Sequence, residues 1–177
     1  DKAGEVAALL VEVRAIKAAE IAKAEAIIKA EAIAKAARIT TTVNAVKAIS
    51  DATTAELAAA EIKATEVGTG LTEIKAIAGE YSAAQSKADA AQIAADAAGA
   101  ALADAKTGAA LIANANTAAL AAQTVSDETA AQTAQANAET AKVTFTSKLE
   151  LAYVKASEVA TLLVEVRAIK VAEIAKA

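Results

Sequence analysis

The side chains that could do chemistry in this chain are carboxylates, lysines, serines and threonines. A hydroxyl or amine nucleophile needs a neighbour to take its proton. Histidine, the commonest such base, is absent, and so is cysteine. That removes thiol catalysis, thiolate metal sites and disulfides together. Asp127-Glu128 is a compact acidic pair. No loop has the dense oxygen spacing of a calcium site, so the pair reads as a helix start, where exposed backbone N–H groups favour negative charge. Gly68-Thr69-Gly70 lacks the third glycine and preceding strand of a nucleotide-binding loop, and reads as a turn between helices. The alternating Glu12, Glu20, Glu25, Glu31 and Lys17, Lys23, Lys29, Lys35 read as solvated helix faces. No catalytic, cofactor-binding or metal-ligating residue is assigned, and the expectation is that the chain is not an enzyme. Net charge is −4 with the signs interspersed, which gives no electrostatic case for nucleic acid.

The elements that carry these residues follow from composition. About a third of the 177 residues are alanine, and there is no Pro, Met or Trp. The aromatics are Tyr81, Phe145 and Tyr153. A 56% hydrophobic fraction and a mean hydropathy of +0.36 argue against disorder. Alanine buries little area, so a core built from it gains less per position than one built from leucine. The longest uncharged stretch, from Thr107 to Ser126, is interrupted by Asn114, Asn116 and Gln123, and no transmembrane span is expected. No signal peptide is visible, and a start at Asp1 suggests a processed chain or a piece of something longer.

An internal repeat organises the chain. Residues 1–24 read DKAGEVAALLVEVRAIKAAEIAKA and residues 154–177 read VKASEVATLLVEVRAIKVAEIAKA, identical at 20 of 24 positions at an offset of 153. The differences are Asp1/Val154, Gly4/Ser157, Ala8/Thr161 and Ala18/Val171. Low complexity does not write LLVEVRAIK twice. The expectation is a tandem repeat of about 153 residues, with residues 1–153 one helical repeat and 154–177 the start of the next.

Alanine, Glu, Lys, Gln and Leu are the strongest helix formers, and no proline interrupts them. The expected fold is all-α: long alanine-rich amphipathic helices forming a helical bundle or a coiled-coil-like filament unit. Residues 5–49 carry an 11-residue row, Leu10, Ile21, Ala32 and Val43, the period of a nearly straight helix. The sequence is read as lacking a sustained heptad. Breaks are expected near 50–53 and 68–70, at 107–108, at 125–127, and near 145–147, where Ser147 and Glu150 form a capping box. Unbroken, a repeat would measure about 230 Å; folded back, it becomes a bundle of roughly 60–80 Å. From 82 to 142 large apolar residues are sparse, which implies close, alanine-lined packing.

The expected packing seam is Val6, Leu10, Val13, Ile21 and Ile28 with the copies Val159, Leu163, Val166 and Ile174. In composition alone, with no shared motif, the chain resembles alanine-rich coiled-coil silks and giant helical repeat proteins of bacterial surfaces. That resemblance implies a structural protein, an extracellular or cell-surface polymer forming fibres, filaments or a surface layer by self-association, with no cofactor. Threonines 11 apart, Thr42/Thr53, Thr54/Thr65, Thr129/Thr140 and Thr133/Thr144, resemble the alanine-rich helical antifreeze proteins of fish and imply an ice surface as an alternative partner. The amphipathic stripe at 6–28 makes a lipid surface the other alternative.

Overall fold

A computed structural model describes residues 2–176 and is helical almost throughout. Helix α1 spans Lys2–Glu80, α2 spans Gln85–Thr124 and α3 spans Glu128–Ile174, with a single 3₁₀ turn at Ser82–Ala84. Residues 39–80 of α1 pack with α2 and α3 in a three-helix bundle. Ion pairs fix the directions. Arg38 meets Glu128 and Arg167 meets Glu73, so α1 and α3 run parallel. Lys148 meets Asp104 and Lys87 meets Glu165, so α2 runs antiparallel to both. The remainder of α1, Lys2 to Arg38, is exposed on every side and projects from the bundle as a single helix. At 1.5 Å per residue the bundle is about 65 Å long and the projecting arm about 55 Å.

The buried positions recur every seven residues. In α1 they are Ile39, Val46, Thr53, Ala60, Val67 and Ile74. In α2 they are Ala91, Ala98, Ala105, Ile112 and Ala119, and in α3 Ala131, Ala138, Phe145, Ala152, Val159 and Val166. This period differs from the 11-residue row of the sequence, which lies mostly on the exposed arm. The seven-residue seam escapes notice because many of its places hold alanine, and alanine occupies the outer faces too.

Small residues let the helices approach closely. The buried face of α2 is almost entirely alanine, from Ala88 to Ala122. Gly108 marks a close approach: a Cβ there would lie 3.1 Å from the Phe145 Cβ and 3.2 Å from its Cα. Thr107-Gly108 is therefore not a break. Gly108 lies within α2 and makes room for the backbone of α3. Gly108→Ala should destabilise by about 1–2 kcal/mol, because overpacking outweighs the gain in helix propensity. Gly68 and Gly99 have nothing within 4 Å of the added methyl. Gly68→Ala and Gly99→Ala should each stabilise by about 0.5–1 kcal/mol. Thermal melts of the three variants check both signs.

The expected breaks at 50–53, 68–70 and 145–147 also lie inside helices. Without proline nothing removes a backbone donor there. The β-branched threonines are tolerated by back-bonding: Thr54, Thr65 and Thr69 each donate to the carbonyl four residues earlier. The chain turns at 81–84, where no break is expected, and at 125–127, one of the expected positions. Tyr81 takes extended φ/ψ and its ring packs on the core; its N–H donates to the Ile77 carbonyl at 2.8 Å. At the second turn Ser126 sits at φ 55°, the left-handed region, and the Asp127 N–H returns to the Ala122 carbonyl at 2.9 Å. The Asp127 carboxylate then accepts from the Ala130 N–H at 3.0 Å, capping α3. Ser126→Gly should stabilise by about 0.5–1 kcal/mol, read from a denaturant midpoint, because glycine adopts positive φ without penalty.

Candidate functional site

The most informative surface is the one that receives the second copy of the repeated segment. It is built by the last turns of α1 and the first turns of α2: Val67, Ile74, Ile77 and Ala78 from one, Ala84, Ala88, Ala91 and Ala94 from the other side of the turn. Onto it α3 lays Ala156, Val159 and Val166 fully buried, with Leu162, Leu163 and Ile169 partly buried. Gly70 lies under this segment. A Cβ there would sit 3.6 Å from a Leu163 methyl and 3.8 Å from a Val159 methyl, ordinary contact distances.

A polar rim surrounds the apolar contact. Arg167 donates two hydrogen bonds to Glu73, from Nε to Oε1 and from Nη2 to Oε2, both 2.7 Å. Lys87 pairs with Glu165 at 2.6 Å and Lys170 with Glu80 at 3.8 Å. At the other end of the bundle Arg38 grips Glu128 in the same two-pronged way, at 2.6 and 3.0 Å. Planar guanidinium and carboxylate match in this geometry, which fixes register more than it adds stability at an exposed site.

Hydrogen bonding to Arg167 holds Glu73 below the usual carboxylate range, and hydrogen bonding to Arg38 does the same for Glu128. A carboxylate whose pKa is lowered by folding adds stability above its ordinary value of 4.5, and that contribution is lost as pH falls through the lowered value. Acidification below about pH 4.5 should therefore lower the melting temperature. The Glu73→Gln/Glu128→Gln double variant should show a shallower acid limb in melts at pH 7, 4 and 3.

The first copy of the segment has no such seat. Val6 is 64% exposed and Val13 59%, while their counterparts Val159 and Val166 are 1% and 0% exposed. Leu10, Ile21 and Ile28 are exposed on the arm, and Leu163 is half-buried in the bundle. Ile174 is exposed beyond the end of the contact. The structure thus brings Val159, Leu163 and Val166 onto one surface and leaves Val6, Leu10, Val13, Ile21, Ile28 and Ile174 in solvent. The sequence could not separate the two groups, because the two copies read almost alike. The seat's own residues went unmarked for the reason given above: five of the eight are alanine.

No protein-family model, curated protein or solved structure matches the chain.

Among the described residues no group of acidic side chains could hold a metal ion, and no helix is long and apolar enough to cross a membrane. A gap of about 20 Å³ lined mainly by Ala60, Val67, Leu102, Ala152 and Ala156 has room for about one water and almost no polar partner for it. Thr53 is buried in the bundle, while Thr54, Thr65, Thr133 and Thr140 are exposed on different helices and donate to their own backbones.

Proposed function

We propose that the chain is a structural protein, a rod-like unit of a repetitive helical polymer that forms fibres, filaments or a surface layer outside the cell. The observation that carries this reading is the place of the second copy. Residues 154–177 repeat residues 1–24, and residues 156–169 of that copy pack at one end of the three-helix bundle. A following unit in the 153-residue register would therefore begin inside the preceding bundle, as a continuation of α3. One coiled-coil-like helix of about 160 Å would belong to both units. The path through one unit rises about 120 Å along α1, returns about 60 Å along α2 and rises about 40 Å to residue 153, a net advance of about 100 Å. Nearest-neighbour contacts of this kind are how solenoids and arrays gain stability with length. In this role the chain catalyses nothing and holds no cofactor; its contribution is mechanical.

Small-angle scattering of the chain tests the reading. The expected particle has a maximum dimension near 120 Å, a thick section and a slender arm. Helicity should stay unchanged when phosphatidylcholine/phosphatidylglycerol vesicles are added. A compact sphere, or a rise in helicity on the vesicles, would contradict it, the latter in favour of a surface-active protein.

A further inference from the structure

The arm and the C-terminal end of α3 are the same sequence in opposite environments, and their differences fall in one pattern. Val154, Ser157, Thr161 and Val171, the four positions that distinguish the packed copy, are all exposed. Every buried or half-buried position of the packed copy has the same residue in the arm. Ala156, Val159, Leu162, Leu163, Val166 and Ile169 correspond to Ala3, Val6, Leu9, Leu10, Val13 and Ile16. The rim repeats as well: Glu165, Arg167 and Lys170 correspond to Glu12, Arg14 and Lys17. The arm therefore carries the complete apolar face and the complete set of charges that fit Glu73, Glu80 and Lys87.

We propose that the face of the arm formed by Val6, Leu10 and Val13 docks on the residue 67–94 surface of a second copy of the unit. It takes the place that residues 155–174 fill within this chain. This rests on the structural reading above and gives it its joint. The arm's Arg14 would grip the second copy's Glu73, its Glu12 would face Lys87, and its Lys17 would reach Glu80. Ile21 and Ile28 lie beyond the contact, on the stretch of single helix between one bundle and the next. The resident segment and an incoming arm compete for one seat, so an intact chain hides the affinity until its own segment is displaced.

The test uses the full chain. Val166→Glu places a charge where the native side chain is fully buried, which drives the resident segment off the seat while the arm keeps Val13. Light scattering over a hundred-fold concentration range should show the apparent mass of this variant rising at least two-fold. The Val13→Glu/Val166→Glu variant should stay at single-chain mass. Circular dichroism run alongside should show the bundle retained in both. As a measurement independent of that comparison, a Leu10→Cys chain is mixed with a Gly70→Cys/Val166→Glu chain and treated with a short thiol–thiol linker. The sequence has no other cysteine. Mixed cross-links should exceed those from an Ile28→Cys control at least ten-fold. Single-chain mass for Val166→Glu at every concentration, or cross-linking no greater than the control, would overturn the docking. Scattering from the unaltered chain separates the two ideas. An arm on a bundle in the unaltered chain, combined with single-chain mass for Val166→Glu, overturns the docking alone, whereas a straight rod of about 265 Å or a sphere overturns the structural reading beneath it.

Discussion

Phe145→Ala should cost about 3–5 kcal/mol and lower the melting temperature by roughly 10–15 °C. Phe145 is fully buried at mid-bundle, the largest such side chain among the described residues. It belongs to one buried cluster with Ala60, Ala101, Leu102, Ala105, Ile112, Ala141, Leu149 and Ala152. An alanine-rich wall has few long side chains that can swing into the space, so the cavity would stay largely open. The close approach at Gly108 adds rigidity, because it fixes the backbones of α2 and α3 on either side. Domains of this kind have about 5–15 kcal/mol in total, so one ring carries a large share. Phe145→Leu, which keeps most of the volume, should cost well under half as much. Urea unfolding of the two variants checks the ratio.

The second large effect compares one substitution made twice in the same sequence context. Val159→Asp buries an unpaired carboxylate at a position 1% exposed and should destabilise by more than about 3 kcal/mol, by freeing the end of α3. Val6→Asp, the identical change in the arm at 64% exposure, should stay within about 0.5 kcal/mol in the isolated chain. Hydrogen exchange locates the difference. Amides of residues 155–170 lose protection in the first variant, and no bundle amide changes in the second. Equal effects would mean that the two copies share one environment.

Several layers of this structure are written plainly in the sequence. Alanine, Glu and Lys without proline dictate helix, and LLVEVRAIK occurs twice. The all-α class follows from those facts; the sequence leaves a folded-back bundle and an extended helix both open, and the structure shows the bundle. The turns are harder. Gly68, Gly70 and Gly108 look like punctuation, yet a helix interior accepts each at a cost of about 1 kcal/mol. The actual break at Tyr81 rests on one extended aromatic residue, with Gly79 and Ser82 beside it as its only local signal. At 125–127 the signal is stronger, since Asp127 can cap and Ser126 tolerates the left-handed region at modest cost. The seat for the repeated segment was invisible for a different reason. Apolar periodicity is read from contrast, and Ala84, Ala88, Ala91 and Ala94 have none against a chain that is one-third alanine. Which copy of Val6 and Val159 is buried depends on what lies beside each helix, and no local pattern contains that.

The central claim is that successive units share a helix and that each arm closes its neighbour's bundle. Its most direct test is the axial repeat of a chain of four units joined in the 153-residue register, measured by electron microscopy of single rods. The account predicts thick segments of about 65 Å joined by thin ones, with an advance of about 100 Å per unit. An advance near 230 Å would mean that the helices do not fold back. One near 65 Å would mean that bundles stack end to end with no intervening stretch of shared helix, and the account would be contradicted.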